Sequence, residues 1–294
     1  MSNLSPSSTA TASLTGRADF ARSDLAHLDL ATRLQKMATR VQQVMARAPR
    51  ICVLGEINAG KSSVINLLAG IPVVPTSITP NTRLPIRLYY AIKPVLSIEL
   101  ADQTRIAVAA SSDTVSGRKD AVMLQVGLPV NALKDYDLID TPGLQSGEDD
   151  NCERAFSACR QAHLAIWCTT ATQAWKATEA AAWTRIPARM KANSILAVTF
   201  KDVVESSRDQ ARLWDRIRAQ AAPHFSDVVM VSARDGLAAR ALTDASQREK
   251  LWHLSGAAEL TSAVDTAVCA VKAKRRDAVQ TRLTTARSVA SVPN

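Results

Sequence analysis

An α/β fold with a mostly parallel sheet and helices on both faces is predicted by three features of the 294-residue chain. The first is a regular alternation of helical stretches with short apolar runs through residues 151–232. Strands separated by helices of that length are βαβ units, which build parallel sheets. The second is a glycine-containing turn at residues 55–62, set between an apolar run and a helical pattern. The third is composition: 47% hydrophobic residues, abundant alanine and only 10 glycines point to much helix around a sizeable core. Amphipathic helices at both termini complete the picture, and together they predict a short neck-like bundle.

Residues 1–17 have no apolar core of their own and read as a disordered tail without a signal peptide. Over 18–48, Leu30, Leu34, Met37, Val41 and Val44 fall on one stripe of a helix, which Pro49 stops. Ile51-Cys52-Val53-Leu54 then reads as a buried strand, and 61–69 as a helix closed by Gly70. The texture becomes β at 83–91, 95–101, 105–109, 121–128 and 136–139, with a loop around Gly117. Next come helix 151–162, strand 163–169, helix 174–190, strand 194–200, helix 205–221 and strand 227–232. Residues 49–235 thus form the α/β domain and 236–294 a C-terminal helical segment. Leu260, Val264, Ala267, Val271, Ala278 and Leu283 mark its apolar seam.

Several classes are excluded. No apolar run reaches the ~18 residues that a membrane-spanning helix needs. The five cysteines, Cys52, Cys152, Cys159, Cys168 and Cys269, show no CxxC spacing, so zinc and redox motifs find no support. A reducing, cytoplasmic setting fits. Trp175 and Trp183 are placed on one face of the 174–190 helix and, with Trp167, read as packing residues. His27, His163, His224 and His253 show no metal-ligand spacing. The excess of 36 basic over 27 acidic residues gives a net charge of +9, which favours an anionic partner: nucleotide phosphate, acidic lipid or RNA. Part of that charge is a cluster at Lys272, Lys274, Arg275 and Arg276.

The chemistry concentrates in four segments. Gly55-Glu56-Ile57-Asn58-Ala59-Gly60-Lys61-Ser62, followed by Ser63, matches GxxxxGK[ST] between a strand and a helix. Its backbone N–H groups and the helix N-terminus can wrap a phosphate chain. Lys61 would bridge the β- and γ-phosphates, and Ser62 would ligate Mg²⁺. Asp140-Thr141-Pro142-Gly143 ends the fifth β run: Asp140 can hold Mg²⁺ through water, and Gly143 can offer its N–H to a γ-phosphate. Thr199-Phe200-Lys201-Asp202 follows a buried strand, where Asp202 can accept from both N1 and N2 of guanine. Adenine lacks that donor pair. Ser232-Ala233-Arg234 would bring backbone groups to the base.

These motifs, in this order, resemble a P-loop GTPase of the TRAFAC class, and more narrowly a bacterial dynamin-like GTPase domain, over residues 30–235. The narrower resemblance rests on the GExNAGKSS loop, on residues 74–83 and on the run from Leu128-Pro129 into Leu144. It implies GTP hydrolysis with Mg²⁺, GTP and GDP as ligands, and a protein partner or homodimer formed through the nucleotide face. It also implies a switch I threonine on Mg²⁺ and the γ-phosphate; Thr82 fits best and Thr79 is the reserve. Nucleotide state would order or release residues 72–83 and 141–150. Leu144 stands where Ras-like GTPases carry a water-orienting glutamine, and Gln145 is one residue late to replace it. Asn58 matches the position at which Era-like relatives hold K⁺. Phe200 replaces the usual lysine of the base motif, either covering the base as the lysine stem does or lowering affinity.

A full dynamin carries a long stalk and a membrane element, so autonomous membrane remodelling is not expected of this chain. The location implied is cytoplasmic, peripheral to the inner face of a membrane through the basic cluster. Two rivals stand beside this reading: an Era-like RNA-associated GTPase, which lacks a KH-type GxxG loop, and a nucleotide-binding scaffold with negligible turnover.

Overall fold

The computed structural model describes residues 48–73, 84–108, 120–144 and 149–290, with residues 32, 35, 36, 39, 41, 42, 45 and 47. Thr79, Thr82 and Gln145 lie outside the described residues, as does most of 72–83. The chain divides into two compact units: residues 48–278, and a smaller one of residues 1–47 with 279–294.

In the larger unit β1 (Arg50–Gly55) leads into α1 (Lys61–Ala69). Four strands follow, β2 (Ile86–Tyr90), β3 (Val95–Leu100), β4 (Arg105–Ala107) and β5 (Ala121–Leu128), then β6 (Asp137–Asp140). The alternating half comprises α2 (Asp149–Arg160), β7 (Leu164–Thr170), α3 (Ala177–Thr184), α4 (Ala188–Lys191), β8 (Ile195–Thr199), α5 (Ser207–Ala221) and β9 (Asp227–Met230). Three helices close the chain: α6 (Ala233–Ala241), α7 (Ala245–Leu254) and α8 (Ala257–Ala290). One nine-stranded sheet results, in the order β4-β3-β5-β2-β6-β1-β7-β8-β9. Pairing is parallel across β6-β1-β7-β8-β9 and β5-β2, and antiparallel at β4-β3, β3-β5 and β2-β6. This is the mostly parallel α/β sheet that the sequence predicts.

The central strands are buried on both faces, which is why they read as unbroken apolar runs. One face is covered by Val64, Ile65 and Leu67 of α1 and by Leu260, Val264, Val268 and Val271 of α8. The other carries Phe156 and Cys159 of α2, Trp183 of α3, and Ile217 and Ala221 of α5. Each of these side chains contributes about 1.5–3 kcal/mol by leaving water if it is a large aliphatic.

Three differences from the sequence reading have physical causes. The helix expected over 174–190 is two helices, because Pro187 lacks an N–H and caps α4 instead of continuing α3. Trp175 precedes α3 in a left-handed turn, φ 57°, so the two tryptophans do not share a helix face, although both pack around Trp167. The C-terminal seam is real through Val271 and packs onto the sheet, whereas Ala278 is exposed. Residues 236–278 therefore belong to the same compact unit as the strands.

The basic cluster is also used internally. Lys272 Nζ donates to Asp135 at 3.1 Å and Lys274 Nζ to Asn193 Oδ1 at 3.4 Å, and Arg275 Nη2 lies 2.6 Å from His163 Nε2. The β9 edge of the sheet is blunted. Asp227 Oδ1 accepts the N–H of Val228 at 2.8 Å. Gly256, at φ 78°, lies so close to the Met230 carbonyl that an added Cβ would meet its oxygen at 1.9 Å.

Candidate functional site

The expected motif residues meet at the C-terminal ends of β1, β6, β8 and β9. β1 delivers residues 55–60 as a loop, and α1 begins at Lys61. Asn58 and Gly60 both take left-handed backbone conformations, φ 60° and 77°, which coil the loop around its own N–H groups. Lys61 is buried; its Nζ donates to the carbonyls of Gly55 at 3.3 Å and Glu56 at 2.7 Å, so the ammonium is folded over the loop. Burial pushes its pKa below the ordinary lysine value, and neighbouring acidic groups, Asp140 and Glu56 among them, oppose that shift.

Asp140, at the end of β6, stands beside the start of α1. Ser62 Oγ donates to Asp140 Oδ2 at 3.1 Å, while Oδ1 is buried with no hydrogen-bond partner. Burial raises the carboxyl to about 6, against the stabilising influence of Lys61 and of the Ser62 hydroxyl. Thr141 Oγ1 donates to the Val53 carbonyl at 2.7 Å and fixes the turn after β6. Gly143 has no room for a side chain: a Cβ there would lie 2.5 Å from Ile57 Cγ1 and 2.9 Å from Ile57 Cα. The loop and the Asp-Thr-Pro-Gly segment are therefore in direct contact. Leu144 is buried against the core, and its N–H donates to the Gly55 carbonyl at 3.0 Å.

The base-side motifs close the rim. Thr199 Oγ1 lies 3.0 Å from the carbonyls of both Ala59 and Thr169, which ties β8 to the loop. Phe200, in a left-handed conformation, packs its ring against Gly60. Asp202 follows in a short turn and forms an ion pair with Arg234, Oδ2 to Nη2 3.2 Å. Ser232 caps α6 by accepting the Asp235 N–H at 3.1 Å, which fixes Ala233 and Arg234 in the first turn.

Two contacts escape sequence reading. Glu56 is held from outside the loop, by Lys176 Nζ at 2.7 Å and Thr178 Oγ1 at 3.0 Å. Lys176 is in turn fixed by Glu179, a buried carboxylate that accepts from Trp167 Nε1, Thr169 Oγ1 and the Lys176 N–H. Arg234 across to Asp202 is the second. A groove of about 780 Å³ lined by Trp214, Met230, His253 and Glu259 contains none of the expected site residues. Among the described residues, no cluster of His, Cys, Asp and Glu has metal-site geometry of its own, and no helix is long and apolar enough to cross a membrane.

A family model described as "Dynamin family" matches residues 51–202, more than half of the chain. The chain belongs to the dynamin family. Among curated dynamin relatives, Dynamin-like protein 2 of Campylobacter jejuni subsp. jejuni (serotype O:23/36, strain 81-176) is 27% identical over 190 residues, 63% of this chain and 31% of that protein. An uncharacterised protein in the xynA 3′ region of Caldicellulosiruptor sp. (strain Rt8B.4) is 24% identical over 132 residues, 41% of this chain and 32% of its own. A solved structure of an oligomerised bacterial dynamin pair has the same fold, with a TM-score of 0.56 and 21% identity. It covers 83% of this chain and 38% of that one. The chain thus spans about a third of the length of the dynamin relatives it matches.

Proposed function

We propose that this dynamin-family chain binds GTP and GDP and hydrolyses GTP to GDP and phosphate with Mg²⁺, acting as a nucleotide-dependent switch or assembly factor. The observation that carries this reading is the Ser62–Asp140 pair at the N-terminus of α1, with one buried carboxylate oxygen left unpartnered. Hard oxygen donors beside a phosphate loop fit Mg²⁺. Ser62 and Asp140 would hold the ion, with Thr82 as the third expected contact; its charge would offset that of the β- and γ-phosphates.

The chain's own residues supply the rest. The N–H groups of 55–63 and the Lys61 ammonium cradle the phosphates. Asp202 accepts the guanine edge, and Thr199 and Phe200 brace the loop from the base side. Gly143 brings its N–H to the γ-phosphate, and its contact with Ile57 lets the phosphate be felt by the segment beyond β6. Leu144 has no polar atom to orient water, so turnover relies on loop residues and on K⁺ held with the help of Asn58. Ile57, Phe200 and Val203 expose apolar surface on the nucleotide side, at 48%, 39% and 55%. That surface supports a homodimer or protein partner across the nucleotide face.

The solved bacterial dynamin pair is described as sensing and tethering membranes, but here Lys272, Lys274 and Arg275 are engaged by the α/β unit. Equilibrium binding of GDP and ADP, followed by single-turnover GTP hydrolysis with Mg²⁺, tests the reading. GDP should bind at least about a hundredfold more tightly than ADP, and Asp202→Asn should shift preference toward xanthosine nucleotides. Equal GDP and ADP affinity would overturn it, and GTP bound without turnover would favour the scaffold reading.

A further inference from the structure

Asp202 does not stand alone at the base side of the site. It follows Phe200 in a three-residue turn, and its side chain is 12% exposed. Its Oδ2 meets Arg234 Nη2 at 3.2 Å, while Arg234 Nε lies 3.1 Å from Asp235 Oδ1. The guanidinium therefore spans two carboxylates, one on its own helix and one across the site. Its root is fixed as well: Ser232, one residue before α6, accepts the Asp235 N–H at 3.1 Å and donates its own N–H to the Ser255 carbonyl at 2.8 Å.

A carboxylate on an aspartate turns easily, because the terminal torsion is broad. Guanine offers N1–H and N2–H side by side, so both oxygens must lie in the plane of the ring. Hypoxanthine offers N1–H alone and tolerates a rotated carboxylate. A carboxylate oxygen has two lone pairs; one can face the purine while the other accepts from Arg234. We propose that Arg234 is a positioning residue for base discrimination, its guanidinium fixing the plane of the Asp202 carboxylate so that both oxygens are presented to a two-donor purine edge. This rests on the reading of Asp202 as the base-recognising residue.

The test is the affinity for GDP, IDP and ADP of the wild type, Arg234→Ala and Arg234→Lys, with Mg²⁺ present. Arg234 is 75% exposed, so the variants should fold, and unchanged melting temperatures verify this. In Arg234→Ala the GDP affinity should fall about two- to fivefold, the range that an exposed ion pair supports. IDP affinity should stay unchanged, so the preference for GDP over IDP falls by the same factor; Arg234→Lys should restore part of it. Equal losses for GDP and IDP, or no loss for either, would overturn the role of Arg234 while leaving Asp202 in place. A wild type that binds GDP, IDP and ADP alike would instead remove the reading of Asp202 on which the inference rests.

Discussion

Asn58 occupies a left-handed position in the phosphate loop, φ 60°, a conformation that asparagine tolerates better than most residues. Its side chain is exposed, free of the packing that fixes Ala59 beneath it. If it coordinates K⁺, replacing Na⁺ by K⁺ should raise GTP turnover, and Asn58→Ala should abolish the gain while leaving GDP binding nearly intact. Rates indifferent to the monovalent ion would remove that role. The phosphate loop is legible in the sequence because eight adjacent residues dictate one local geometry. Lys176 is not, since it reaches Glu56 from 120 positions away. Nothing in either segment signals the other, and only the parallel pairing of β1 with β7 brings them together.

At the scale of elements, the strands were readable and the helix boundaries less so. Buried parallel strands announce themselves as apolar runs whatever they pair with. The antiparallel entry of β2 beside β6 has no such signature, because side-chain alternation looks the same for either direction. Helix α8 shows what periodicity misses: Leu260, Val264, Ala267 and Val271 identify its apolar seam but not the surface it covers. Its docking depends on Gly256, the hinge from α7. Gly256→Ala would force a side chain both into a left-handed backbone and onto the Met230 carbonyl. We expect a loss of about 2 kcal/mol or more, visible as a lower urea midpoint. An unchanged midpoint would mean that α8 can shift away from β9 at little cost.

For the α/β unit as a whole, His163 joins three parts of the molecule. Its Nδ1 accepts the Arg50 N–H at 2.9 Å where β1 begins, and its Nε2 faces Arg275 of α8. Burial, and then the charges of Arg275, Arg50 and Arg189, hold its pKa down to about 4. The unfolded chain takes up a proton as pH falls through about 6.5, whereas the folded chain does not until near 4. Stability should therefore be full above pH 6.5 and decline progressively as the pH falls toward 4. Urea midpoints measured from pH 7 to 4.5 should fall more steeply for the wild type than for His163→Gln; parallel curves would contradict this. The blunted rim at β9 carries a different consequence for the molecule. A sheet with an open last strand invites recruitment of further strands, and through them fibres. With the Val228 donor occupied by Asp227 and the Met230 carbonyl roofed by Gly256, two of the groups that this edge would present to a new strand are already taken. On this side a contact between copies is therefore steered to helices and loops, with the sheet left whole at β9, and breaking such a contact requires no unfolding.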